Sequence, residues 1–503
     1  MVGYIEGTPR QQIHLFNECI DEMIGEYNIV RFIDVYVEKL DLEELGFKIP
    51  VGVTGAPPYR PQLKLKIYIY GYLERIRSSR RLERECNRNK ELIWLTGNLA
   101  PDFKTIADFR KDNLEALKNL FKEFLKFCHK LELLSFKTVA IDGSKMRGQN
   151  SQNEVYRKDQ MGRIEKEIQE KIDNYLKELD ELDCIEQKSG VSVNKEKVKS
   201  VTKRLNKQMK RKEKIGYINK MFEDDPGLKI YYATDEDCRL QSDKGKVRPG
   251  YNIQTAVDDK NKLIAVADVT NEQNDKKQLT PMIEQVKEQK KELGVGSNTT
   301  GVADAGYFTE KGIINNKDDE DFPIVVSPSV EGGSAIRSKN GKGKKVPSAE
   351  YEVDNFAYDE DKDVYICPEN QILKRITKAP VKDSHGRQTY RYKCGSEICA
   401  ICSKKGQCTN NGNGRMLRVS VNRKEILDYI ESLNTEENKK IIEKRKEIVE
   451  HPFGTIKRSY GYTYFHLKGI EKVRGEFSLV CFVYNLKRVI NIVGTKVLME
   501  AIK

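Results

Sequence analysis

Apolar positions recur at helical spacing through the first quarter of the chain. Ile13, Phe16, Cys19, Ile20 and Met23 share one helical face, and Ile29 to Leu40 repeats the pattern, so residues 11–46 read as helices. Gly52 to Pro61 is rich in glycine and proline and reads as a linker. Pro61 then opens a helix over Gln62 to Arg75, since proline is tolerated in a first helical turn. Leu92 to Leu95 is a short apolar run, and two further helices follow over Thr105–Asn113 and Leu114–Leu131. Residues 1–134 thus form an all-α domain.

Beyond it the period changes. Phe136 to Ile141 alternates and ends at Asp142-Gly143-Ser144, which predicts a strand. Residues 153–222 are mostly polar with leucine and isoleucine at helical spacing. Their first arm is acid-rich, their second base-rich, with Ser189-Gly190 between, which predicts an antiparallel helical hairpin. Each arm would reach ~45 Å. A solvated structural hairpin and an arm that contacts DNA are both open readings. Strands resume at Tyr251–Val257 and Lys262–Val269, joined by the turn at 258–261. A helix over Lys277–Leu293, a strand over Thr299–Ala303 ending at Asp304, a short helix over Thr309–Asn315 and a strand over Pro323–Ser327 come next. Residues 329–425 turn rich in glycine, serine and lysine. A helix over Thr435–Lys457 and an apolar one over Phe477–Val493 close the chain.

Composition narrows the partner. Among 503 residues, Lys and Arg number 89 against 77 Asp and Glu, a formal charge of +12. That excess suits an anionic partner, although a basic enzyme of another kind would share it. Arg75, Arg77, Arg80, Arg81, Arg84 and Arg88 crowd one short segment of the helical domain, so Arg80, Arg81 and Arg84 are candidate DNA contacts. The plain alternative is a solvated basic helix. No apolar run reaches the ~18 residues of a membrane span, and Met1 to Arg10 lacks a signal-peptide layout. A cytoplasmic chain with reduced thiols and no membrane partner is expected. Five histidines and no Walker-type phosphate loop turn the search away from a histidine base or nucleotide hydrolysis.

The order strand–carboxylate, hairpin strands, helix, strand–carboxylate, strand, helix–carboxylate is that of a ribonuclease-H-like α/β core. It would comprise 135–152, 223–328 and 426–503, with 153–222 and 329–425 inserted. Asp142 and Asp304 each end a strand, where α/β sheets open their active-site crevice. Glu450 lies on the late helix. Three converging carboxylates repel unless cations hold them, and hard oxygen donors select Mg²⁺ or Mn²⁺. Two such ions can serve an in-line phosphoryl displacement. Acids at strand ends also simply cap turns.

The flanking residues add a resemblance. Thr138-Val139-Ala140-Ile141-Asp142-Gly143-Ser144-Lys145 and Gly301-Val302-Ala303-Asp304-Ala305-Gly306-Tyr307 resemble the two aspartate strands of bacterial insertion-sequence transposases of the DDE superfamily. Pro249-Gly250-Tyr251-Asn252-Ile253-Gln254 resembles the strand after their usual insertion point. The helical region 61–131 is similar to their N-terminal domain. Arg445 to Lys457 resembles the glutamate helix of the branch with a Tyr-Arg-Glu-Lys signature, with Glu450 and Lys457 at its spacing. The signature's arginine position holds Lys446, beside Arg445, and its tyrosine position holds Glu443.

The resemblance implies a transposase acting on double-stranded DNA. Water cuts at the element's ends, and the freed 3′-hydroxyl then attacks a target strand. It implies metal binding by Asp142, Asp304 and Glu450, and DNA contacts by Lys457, Lys446 and Arg445. It also implies a homodimer in a synaptic complex and a bacterial, nucleoid-associated place of work. A nuclease that only cuts, or a non-catalytic zinc-containing DNA-binding protein, are the rival readings.

Five of the eleven cysteines gather late in the chain. Cys394-x4-Cys399-x2-Cys402-x5-Cys408 gives four thiols in a pattern that suggests structural Zn²⁺, with Cys367 able to replace one. The stretch 329–425 holds few large apolar residues, so a core of its own is not expected and a metal would offset its ordering entropy. Free thiols in a flexible insertion are the alternative.

Overall fold

A computed structural model describes residues 19–49, 57–189, 195–243, 245–328, 348–383 and 386–502. The first part of the expected 11–46 helices (residues 11–18), residues 52–56 of the linker and residues 329–347 lie outside these. The fold is mixed α/β with a helical N-terminal region, and it divides into two units.

The first unit takes in the described residues up to Ser135, then Gly143–Gln273 and everything from Glu450. It opens with six helices: α1 (Ile29–Lys39), α2 (Pro61–Leu73), α3 (Ser79–Cys86), α4 (Lys90–Thr96), α5 (Phe103–Asp112) and α6 (Leu114–Lys130). Side chains of Asn28, Asn89 and Asp102 cap α1, α4 and α5 by accepting from first-turn amides. Ile20–Met23 forms only one 3₁₀ turn, with no buried residue to anchor a longer helix. Strand β1 (Thr138–Arg147) runs on past the expected end at Ile141. The reason is pairing. Within this unit Arg147 N donates to Thr463 O, and Phe465 N donates to Arg147 O.

A small ribbon of β2 (Val155–Arg157) and β3 (Ile230–Tyr232) brackets the hairpin arms α7 (Met161–Ser189) and α8 (Lys195–Asp224). The arms pack antiparallel, and their seam is apolar: Ile168 and Ile172 against Leu205, Ile215, Ile218 and Phe222. Arg204 and Glu178 add an ion pair at 3.3 Å. Lys199, Lys203, Lys207 and Lys210 of α8 stay exposed, so opposite charge is not what zips the arms together. Next, β4 (Arg239–Asp243) and β6 (Ile264–Thr270) flank β5 (Lys246–Asp258), both antiparallel. A Cβ on Gly250 would stand 2.2 Å from Met146 O, so only glycine lets β5 lie against β1 there.

The second unit is Phe136–Asp142 with Asn274–Val449. Helix α9 (Leu279–Leu293) leads into β7 (Thr300–Ala303), α10 (Glu310–Asn316) and β8 (Ile324–Val326). The first half of β1 pairs parallel with β7, and β7 parallel with β8. The chain then builds a second, antiparallel sheet from β9 (Ala357–Asp359), β10 (Val364–Ile366), β11 (Ile372–Arg375), β12 (Val381–Lys382) and β13 (Gln388–Cys394). Short helices α11 (Ser396–Ile401) and α12 (Lys405–Cys408) precede its last strand, β14 (Met416–Ser420), which pairs with β13. This sheet has a core of its own, contrary to the compositional expectation. Phe356, Tyr365, Leu373, Tyr392, Leu417 and Val419 are buried together, and the Tyr365 and Tyr392 rings meet edge-on at 4.8 Å. A few aromatic rings supply the area that aliphatic residues lack.

Helices α13 (Arg423–Ser432) and α14 (Glu436–Gly454) end this unit, the division falling between Val449 and Glu450. Regular α14 stops short of the expected Lys457. Pro452 lies inside it, and a π-type turn takes over at Thr455–Ser459. Helix α15 (Ile470–Ile502) returns to the first unit and packs on α6, α1, α2 and β6. It is the one described helix long and apolar enough to cross a membrane, and 61% of its most apolar window is buried among these partners. Gly475 makes the α6 contact close, because a Cβ there would come 2.9 Å from Leu114 O.

Candidate active site

Two of the sequence-selected carboxylates come together in the second unit. The register pairs Ile141 with Ala303, so Asp142, within β1 and not at its end as expected, and Asp304, just past β7, stand side by side where the parallel pairing stops. Neighbouring strands lie ~4.8 Å apart, which brings two anions close. Asp304 Oδ1 is steadied by the Gly306 amide at 2.9 Å. Arg445 answers the charge: its Nη1 stands 3.8 Å from Asp142 Oδ2, and the guanidinium is buried.

Two residues of this cluster carry no sequence signal of their own. Tyr307 is fully buried. Burial pushes its hydroxyl well above the ordinary range, and Asp275, Asp142 and Asp304 push it further against the pull of Arg445. It therefore stays a protonated donor amid acids. Asp275, in the turn before α9, is a third acid at this edge, which strand-end reasoning overlooks because it lies beyond the end of β6, in the connection to α9. Among the described residues, no three carboxylate, imidazole or thiol groups stand at metal-holding spacing.

The remaining selected residues lie in the first unit or on α14. Glu450 is exposed on α14. Its neighbour His451 is fixed, with Nδ1 2.8 Å from the Tyr484 hydroxyl and Nε2 3.1 Å from Arg488 Nη1. Lys446 is exposed. Lys457, in the π-type turn, donates to Ser144 Oγ and, at 2.7 Å, to Lys145 O on β1. Arg80, Arg81 and Arg84 are exposed on α3, Arg80 lying over the Phe103 ring at 5.0 Å. Arg77 differs from them. It is buried, donates to Tyr464 O at 2.8 Å, and stacks on Tyr462.

Two family models match the chain. One, described as Transposase DDE domain, spans residues 366–490, and the other, described as Transposase domain (DUF772), spans 18–112. Together the two matches support an insertion-sequence transposase of the DDE type. No curated protein and no solved structure matched it. The DDE match takes in the second sheet's cysteines, Glu450 and Lys457 of the transposase, whereas Asp142 and Asp304 precede it. The other match covers the helices that carry Arg80, Arg81 and Arg84.

Proposed function

We propose that the transposase cuts DNA at the ends of its element and transfers the freed 3′-hydroxyl strand into target DNA. The carrying observation is the Ile141–Ala303 register, which sets Asp142 and Asp304 next to each other at one sheet edge. The core is then ribonuclease-H-like, and Asp142, Asp304 and Glu450 are the acidic set. Their oxygen-only chemistry fits Mg²⁺ or Mn²⁺, which when bound supplies Lewis acidity for phosphoryl transfer. Glu450 is assigned by its place on the glutamate helix.

The chain's own groups do the positioning. Gly306 N–H orients the Asp304 carboxylate. Arg445 balances the charge of Asp142 until a cation or phosphate shares it. Tyr307 stays protonated beside these acids and so adds no further negative charge to the edge. Lys457, which donates to Ser144 of β1, and Lys446 would meet backbone phosphate. The α3 arginines, exposed on their helix, grip DNA phosphate. Two ends must be held for insertion, so a homodimer is the working form.

The test uses full-length protein, a labelled duplex carrying the element end with a free 3′-hydroxyl, and a supercoiled plasmid. Mg²⁺-dependent covalent joining is expected. Cutting without joining would reduce the reading to a nuclease, and neither activity would leave a DNA-binding protein.

A further inference from the structure

The second sheet brings five thiols to one place. Cys367, Cys394, Cys399, Cys402 and Cys408 line a single cavity of about 30 Å³, room for one ion and little else. All five are free thiols. They are not equivalent. Cys394 ends β13 opposite Leu373 and is 2% exposed, a member of the sheet's apolar core. The other four are half-buried at the rim.

The rim thiols sit in turns built around sulfur. Cys367 N donates to Gln371 O, and Asn370, at φ +56°, turns the chain so that Gln371 N points at Cys367 Sγ, 3.3 Å away. Arg415 N points likewise at Cys399 Sγ, at 3.4 Å. That amide follows Gly414, at φ +86°, where a Cβ would press on Cys399 Sγ at 3.2 Å. Cys402 caps α11, and Cys408 ends α12. The four rim sulfurs line the same small cavity. Ile401, between Cys399 and Cys402, is 88% exposed, so its side chain adds little apolar burial to that turn.

We propose that Cys367, Cys399, Cys402 and Cys408 bind one structural zinc ion, with Cys394 as the core thiol behind them. Amide N–H groups aimed at sulfur stabilise thiolate, and four thiolates meet stably only around a cation. No three described donors stand at metal-bonding spacing as they lie, so coordination draws the sulfurs onto a common centre by side-chain rotation. Each ligating thiol gives up its proton as the metal enters. The ligand set differs from the one that sequence spacing alone suggests, because Cys367 arrives from the β10–β11 turn and Cys394 is spent in the sheet.

Full-length protein purified under reducing conditions should carry about one zinc per chain by elemental analysis. Metal-stripped wild-type protein titrated with Co²⁺ should give the visible spectrum of a tetrahedral thiolate site, saturating at about one equivalent. Cys367→Ser and Cys402→Ser should lose zinc to below about a tenth of an equivalent, while Cys394→Ser should keep it. Absence of zinc together with absence of the cobalt spectrum in the wild type would overturn the site. Loss of metal from Cys394→Ser with retention in Cys367→Ser would overturn the ligand set. The cobalt titration needs no variant, so poor folding of a serine mutant leaves the proposal exposed to refutation.

Discussion

Glu476→Ala removes the anion from a fully buried charge cluster in the first unit. The carboxylate accepts from His466 N at 2.9 and 3.1 Å and from Leu467 N at 2.9 Å. The Arg77 and Arg110 guanidinium groups each lie 3.9 Å from it, and both are buried. Alanine leaves two amides without their acceptor and two cations without their counter-charge. Amide bonds to a charged group contribute ~1.5–3 kcal/mol each, and breaking a buried pair costs ~3–5 kcal/mol. The two figures describe overlapping contacts and do not add, so about 4 kcal/mol is expected. At roughly 2 °C per kcal/mol for a unit of this size, the melting temperature should fall by about 8 °C. Glu476→Gln keeps the shape and one acceptor oxygen, and should cost less. Trp94, the single tryptophan, lies in the same unit and reports its unfolding by fluorescence. An alanine variant melting within about 1 °C of the parent would refute the reasoning, since the cluster would then be energetically neutral.

Burial depresses His466 to about 4, Arg77 and Arg110 acting the same way against Glu476. Its neutral form is the folded one, so its stabilisation is whole above pH 6.5 and drains away as pH falls towards 4. The loss is up to about 3 kcal/mol, less for its partial exposure. His466→Gln should show a shallower decline of denaturation midpoint across that window, and superimposable curves would exclude the effect. Replacing Arg80, Arg81 and Arg84 with alanine should weaken binding of full-length protein to duplex DNA and flatten the slope of log affinity against log salt by about 2.7, at ~0.9 per phosphate. An unchanged slope would remove α3 from the DNA interface.

Periodicity made most of the regular elements legible. Strand β7 and helices α1, α6 and α9 fall within a residue or two of their expected bounds. The hairpin arms were legible for the same reason, but the force joining them was not: charge segregation by arm suggested ion pairing, whereas the seam is isoleucine, leucine and phenylalanine. The second sheet was illegible. Its strands are two to seven residues long, and its core rests on tyrosines spread among lysines. At the candidate site, strand-end reasoning selected Asp142 and Asp304, which the register sets side by side although Asp142 lies within β1. Tyr307 and Asp275 needed the fold, since burial and proximity, not spacing, give them their place. Arg77 reads in sequence as one more basic residue, and only the buried Glu476 shows it to be part of the core.

The central claim is that Asp142 and Asp304 form the reactive edge of a DNA-cutting transposase. Wild-type protein, Asp142→Asn and Asp304→Asn should be compared on one labelled element-end duplex, measuring cleavage in Mg²⁺ and binding by gel shift in the same samples. Each single substitution is expected to lower cleavage by at least about a thousandfold and to leave binding within about threefold of wild type, since asparagine removes a charge that repels phosphate and no basic group. Either variant cutting at a rate comparable to wild type would contradict it.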